Sequence, residues 1–288
     1  MTYNNYNKPI FYPLEAPRMA HLSPDAQRFY AENGYYFPLQ VLSEAKADTL
    51  RQMVETFRSE HADDAKIALG GKAHLRFPEL YDLVADSNIL DAVESVIGPN
   101  ILCWAASFFW KLPHDESFVS WHQDSTYWGL EPLDIVTAWV ALSPSTRENG
   151  CMRVVPGTHK FDQLPHQDTH AASNLLSRGQ EIQVEVNEAD AVDIELQPGQ
   201  MSLHHVKIVH GSEANPSPIT RMGFAIRYIP TYVRQVGPRT SAVLVRGVDE
   251  YQHFDGEPRP AGPFDPAAIQ AQQEAVTRVN AILYDGVA

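Results

Sequence analysis

From residue 101 onward the chain breaks into short runs of β-branched and aromatic residues, each closed by turn chemistry. The runs are ILCWAASFFWKL, SFVSWHQD, DIVTAWVAL, CMRVVPG, EIQVEV, MSLHHV and RMGFAIRYIP. Pro113-His114-Asp115, Glu148-Asn149-Gly150, Pro198-Gly199 and Asn215-Pro216 punctuate them. Many short strands so divided predict a β-sandwich or barrel. Residues 157–180, rich in His, Gln and Ser, form a long insertion between strands. Insertions of that length are usually lids or irregular segments.

The first hundred residues follow a helical period instead. Ser23 is an N-cap followed by Pro24, and Asn33-Gly34 ends that helix. Ser43 caps a longer one, in which Leu50, Met53, Val54 and Phe57 recur at helical spacing. ELYDLVA and NILDAVESVIG are two further short helices, and AAIQAQQEAVTRVNAIL is a last one. The expected architecture is mainly β with helical decoration, and residues 1–288 are taken as a single domain. Its helical part spans about 20–100, its β core about 101–246 and its C-terminal helix about 266–284. There is no internal repeat.

Charge narrows the function. Lys plus Arg (22) against Asp plus Glu (36) leaves a formal charge of -14. Nucleic acid and anionic membranes are bound mainly through Lys and Arg, so neither is an expected partner. No apolar run approaches the roughly 20 residues that cross a bilayer. The N-terminus shows no basic region followed by an apolar stretch, so no signal peptide is expected. Cys103 and Cys151 lie in apolar, strand-like surroundings and read as two buried free thiols. Cytoplasmic is the expected location; the oligomeric state is left open.

SWHQDSTYWG, residues 120–129, carries the first candidate chemistry. In a strand, alternate side chains share a face, which would project His122 and Asp124 together with Gln123 opposite. A His-x-Asp pair alone is most often a surface hydrogen-bonded pair. A buried carboxylate, however, is costly without a cation. His204, His205 and His210 offer a third ligand from a distant strand, completing the two-His, one-carboxylate face of non-heme Fe(II) sites. Arg221 follows His210 by eleven residues. Iron(II) with one aspartate carries +1. A dicarboxylate such as 2-oxoglutarate makes that -1, and one arginine brings it to neutrality. Trp121, Tyr127, Trp128 and Trp139 are placed to exclude water.

WHQD, TAWVAL, ENGCMRVVPGTHK, HGSEANPS and Arg221 together resemble the phytanoyl-CoA dioxygenase family, and more closely its bacterial small-molecule branch. The likeness runs from about residue 25 to 235. It implies a double-stranded β-helix, a cupin-like jelly roll, working with Fe(II), 2-oxoglutarate and O2. The family's metal ligands fall on His122, Asp124 and His210, and its co-substrate arginine on Arg221. Trp139 and Ser212 match positions beside the co-substrate. His204 and His205 are left with structural or supporting roles. Halogenases of this superfamily replace the motif aspartate with Ala or Gly, so Asp124 implies hydroxylation or a related oxidation rather than chlorination, with release of succinate and CO2.

The substrate is not written in these motifs. An amino acid, amine, phosphonate or secondary-metabolite intermediate is expected, because a CoA thioester would want a large basic patch. Arg221, Gly223, Ala225 and Arg227 share one strand face, so Arg227 either reaches the same cavity or ends in solvent. Lys111 either meets a substrate anion or ends its strand in solvent. Gln123, Thr126, Tyr127 and Trp128 are candidates for the entrance. Residues 66–76 either close over an anionic group or merely connect. The alternatives are a halogenase-like or acyl-CoA-hydroxylating relative and a non-catalytic cupin-like binding protein.

Overall fold

The structure, a computed structural model, describes residues 21–283 apart from positions 170, 172 and 177. The segment read for a signal peptide and position 284 of the expected last helix lie outside the described residues.

The helical part begins with α1 (Pro24–Asn33), where Ser23 Oγ accepts from the Ala26 N–H and Gly34, at φ 81°, closes the end. After it come β1 (Tyr35–Gln40), α2 (Glu44–Glu60), α3 (Ala62–Gly70), α4 (Pro78–Val84) and α5 (Ser87–Ile97). Strands β2 (Ile101–Lys111) and β3 (Val119–His122) lead to a one-turn helix, α6 (Ser125–Trp128). Then follow β4 (Leu130–Glu131), β5 (Val136–Ala141), β6 (Met152–Val155), β7 (His166–Asp168), β8 (Gln180–Ile182) and β9 (Val192–Ile194). The chain continues through β10 (Gln200–His205), β11 (Val209–Ser212), β12 (Arg221–Pro230), β13 (Arg234–Gln235), β14 (Ser241–Arg246), β15 (Asp255–Gly256) and α7 (Pro266–Leu283).

Two sheets carry the fold. One has seven strands in the order β1-β10-β5-β12-β2-β14-β15, the other four in the order β3-β11-β6-β9. Pairing is antiparallel except between β14 and β15. Strand parity in β12 divides two cores. Met222, Phe224, Ile226 and Tyr228 pack outward with Leu50, Val54, Leu80, Val84 and Ile89 of the helices. Each such side chain, when fully buried, contributes about 1.5–3 kcal/mol. The Tyr228 hydroxyl donates to the Val84 carbonyl at 2.9 Å, so even the polar tip of that core is satisfied. Ala225 and Trp139 face inward, against Met152, Val154 and Ile194 of the smaller sheet. The result is the cupin-like jelly roll that the motifs imply.

β1 departs from the all-helical expectation for the first hundred residues. It pairs with β10 at the sheet's edge, and the register shifts between Tyr36 and Leu39. Pro38 sits in that shift, where its missing N–H costs no ladder bond. The 66–76 segment also differs from the expected loop. Its first half is helical, in α3, where Lys66 is exposed, and its buried cations are committed within the protein. Arg76 donates to both Asp64 oxygens at 2.7 and 2.9 Å. Lys72 Nζ lies 2.6 Å from Glu257 Oε1 and donates to the Ser241 carbonyl at 2.7 Å. His74 Nε2 lies 2.8 Å from the other Glu257 oxygen.

Burial alone would raise the Glu257 pKa, but the charge of Lys72 and the hydrogen bond from His74 outweigh it and hold it down at about 2. A depressed carboxylate contributes stability that is present above its ordinary pKa of 4.5 and is lost as pH falls toward 2. Glu257→Gln is therefore expected to cost about 3–5 kcal/mol at neutral pH, the usual loss on breaking a buried pair. In denaturant titrations the gap from wild type should narrow below pH 4.5; a constant gap would show that the charge is not what matters.

Candidate metal centre

His122 and His210 are register partners on β3 and β11, which brings their rings to 4.1 Å between centroids. The expected reason for Asp124 joining them does not hold. β3 ends at His122, and Asp124 lies beyond it with αR backbone angles (φ -62°, ψ -31°), capping α6. A turn, not strand alternation, folds the carboxylate back to 3.4 Å from His122 Nε2. One donor atom from each of the three residues falls within 4.8 Å of the others.

The hydrogen bonds fix which atoms are available. His122 Nδ1 contacts the Ser120 carbonyl at 2.9 Å, and His210 Nδ1 contacts the Ile208 carbonyl at 3.0 Å. A carbonyl only accepts, so both Nδ1 atoms carry the proton and both Nε2 lone pairs are free to bind a metal. Burial, followed by the charge of His122, pushes the His210 pKa down to about 4. Burial would raise the Asp124 pKa, but the His122 hydrogen bond and the charges of His210, His122 and Arg227 hold it well below the ordinary range. The donor set is thus neutral imidazole and ionised carboxylate, the forms in which these groups ligate. It fits a divalent iron with open positions.

These residues line a cavity of about 470 Å³ between the sheets. Arg221 lies in its wall, donating from Nη1 to the Gly150 carbonyl at 2.9 Å, while its buried Nε has no partner. Burial pushes its pKa down to about 10, still far above neutral pH, so it stays charged. Its guanidinium carbon lies 5.4 Å from the Trp139 ring. That ring is laid against Gly223, where a Cβ would come within 1.8 Å of it. Only glycine leaves the indole there.

The other expected site residues divide. Ser212, Trp128 and Arg227 line the cavity with Trp139. Lys111 does not. It is fully buried, and its ammonium donates to Ser212 Oγ at 2.7 Å and to the Glu213 carbonyl, so it fixes the strand rather than meeting substrate. Burial and the charge of Arg221 lower its pKa to about 7. Gln123 is buried too, bound to the Lys207 carbonyl and to Gln163 and Leu164 of the insertion. Thr126 belongs to the same network, bonding to Gln163 and the Gln123 carbonyl. The Tyr127 side chain lies outside the described residues. Trp121 stacks under Arg153, 5.6 Å away, and is not among the cavity's lining residues.

Sequence reasoning missed Thr137 and gave His204 only a supporting role, although both line the cavity. Thr137 could have been found, since it lies two residues before Trp139 on the same strand face. Val276, Val279 and Asn280 of α7, and Leu175, Leu176 and Gln180 of the insertion, complete the wall. No local signal announces those.

Fold and cluster together define a class, the iron- and 2-oxoglutarate-dependent oxygenases. Within it, the chain belongs to the phytanoyl-CoA dioxygenase (PhyH) family, whose model matches residues 30–223. A Caenorhabditis elegans protein described as "Probable phytanoyl-CoA dioxygenase" is 26% identical over 72% of this chain and 75% of its own length. A Stutzerimonas stutzeri protein, "Probable alpha-ketoglutarate-dependent hypophosphite dioxygenase", is 30% identical over 54% of each chain. The chain therefore spans about half of that relative. Among solved structures, the apo form of ThoJ, a non-heme monooxygenase, is 34% identical with a TM-score of 0.82, over 90% of this chain and 97% of the other.

Proposed function

We propose that this chain is a single catalytic unit that hydroxylates an aliphatic C–H bond of a small molecule. Its reagents are Fe(II), 2-oxoglutarate and O2. Asp124 is the observation that supports hydroxylation. Its carboxylate stands beside His122 as the third donor of the set and its one anionic member, so a halide would have to displace a protein ligand and add negative charge. The halogenase-like alternative is therefore not adopted.

Bound at this site, iron with 2-oxoglutarate supplies the oxidising power, and the co-substrate leaves as succinate and CO2. The protein's own part is to hold and shield. His122 and His210 would offer Nε2, and Asp124 a carboxylate oxygen. Arg221 would hold the distal carboxylate of 2-oxoglutarate, with the Trp139 ring and Ser212, anchored by Lys111, lining the cavity beside it. Trp128 and Phe109 line the wall and limit access of water. The cavity's 470 Å³ lies within the range of roughly 300–1,000 Å³ typical of small-molecule sites.

No helix of the described residues is long and apolar enough to cross a membrane. Cys103 and Cys151, both buried and unpaired, suit a reducing compartment, and we place the chain in the cytoplasm.

Anaerobic addition of Fe(II) and 2-oxoglutarate to metal-free protein is expected to give a weak visible charge-transfer band. A folded protein without that band would overturn the chelate reading. Succinate release across a small-molecule panel then tests turnover.

A further inference from the structure

We infer that the substrate carries an anionic group, a carboxylate or a phosphonate, which seats on Arg227, Thr137 and His204. This rests on the oxygenase reading above and names a substrate class that the reading leaves open.

The three residues stand abreast on the seven-stranded sheet. Thr137 of β5 is the register partner of Arg227 on β12 and of His204 on β10. Neighbouring strands lie about 4.8 Å apart, so the three side chains form a continuous row. All three line the cavity. Each also has a buried polar atom with no hydrogen-bond partner: Arg227 Nε, Thr137 Oγ1 and His204 Nδ1. A buried polar group without a partner costs about 1–3 kcal/mol. Three in one row, all facing a cavity, mark a surface completed by a ligand.

Charge decides what kind of ligand. Five charged side chains line the cavity: Lys66, Lys72, Asp124, Arg221 and Arg227. Lys66 is exposed at the rim, and Lys72 is neutralised by Glu257. Asp124 and Arg221 balance the iron and 2-oxoglutarate, as counted above. Arg227 remains. It donates to Ser107 Oγ and to the Ala225 carbonyl, both neutral, between the rings of Phe109 and Trp128. Among the described residues no carboxylate forms an ion pair with it; Asp124 acts on it only from a longer range. A buried guanidinium lining the cavity without an anionic partner calls for an oxyanion, which accepts from Nε and the Thr137 hydroxyl together.

The test is calorimetric titration of metal-free, full-length protein with hexanoate, hexylphosphonate and hexanamide, probes alike in length and unlike in charge. At least one anion should bind about tenfold or more tightly than the amide, as expected for a charge-assisted hydrogen bond. Arg227→Met should remove that preference, Arg227→Lys should restore part of it, and Thr137→Val should weaken the anion severalfold. The Kd of 2-oxoglutarate for the Fe(II)-loaded variants should stay near that of wild type. Where Arg227→Met fails to fold, the isosteric Thr137→Val decides. Three results overturn the inference: the amide binding as well as both anions, no probe binding at millimolar concentration, or Arg227→Met weakening 2-oxoglutarate instead of the probes. The titration needs neither iron nor turnover, so absence of the charge-transfer band would leave its outcome standing.

Discussion

Asp124→Ala is expected to reduce substrate-coupled succinate formation by about a thousandfold or more, equivalent to roughly 4 kcal/mol of lost transition-state stabilisation. His122→Ala and His210→Ala should do the same. The carboxylate is the one charged donor in the cluster, so its loss removes both a ligand and the charge that offsets the metal. A separate readout keeps this distinct from misfolding. Fe(II) binding only the native state should raise the wild-type unfolding temperature by mass action. The metal-free Asp124→Ala protein should still fold, losing the Asp124–His122 contact but no capping hydrogen bond on α6. Added Fe(II) should no longer stabilise it. Unchanged turnover in any of the three variants would remove that residue from the centre.

Arg221→Met is the second large effect. Its guanidinium is buried, spends one N–H on the Gly150 carbonyl and leaves Nε free toward the cavity. Without it, the distal carboxylate of 2-oxoglutarate would be buried and unpaired. Removing one partner of such a pair costs about 2–5 kcal/mol. The KM for 2-oxoglutarate should rise by roughly a hundredfold, with kcat at saturation affected far less, as befits a binding contact. Arg221→Lys should recover only part of the loss, since an ammonium cannot present two parallel donors. A fall in kcat with KM unchanged would assign the co-substrate's carboxylate elsewhere.

The centre was legible in the sequence because its spacing reflects the sheets. His122 and His210 are register partners, and Arg221 opens the next strand. Asp124 was found by an incorrect route, since a turn after β3 does what strand alternation was expected to do. Parity gave the correct face for Arg221 and Arg227. It says nothing about how far a side chain travels along its face, and Lys111 shows this by turning to the chain at Ser212 and Glu213. Gln123 and Thr126 were misjudged because their partners lie in the insertion, about forty residues away. β1 was missed because its proline suits only a sheet edge, which depends on the tertiary fold. The wall contributed by α7 is a docking event between distant segments, and no periodicity in the helix announces it.

The boundaries of the family match bear on heredity. Residues 30–223 contain His122, Asp124, His210 and Arg221, whereas Arg227 and α7 lie past the last matched position. What the family hands down along that stretch is a way of activating oxygen. On the inference drawn above, the molecule on which it is spent is chosen partly by residues beyond that matched stretch. Descent within the family therefore predicts the reagents of this enzyme better than its customer. Two members with the same iron ligands can diverge in diet by redrawing one strand end and one terminal helix.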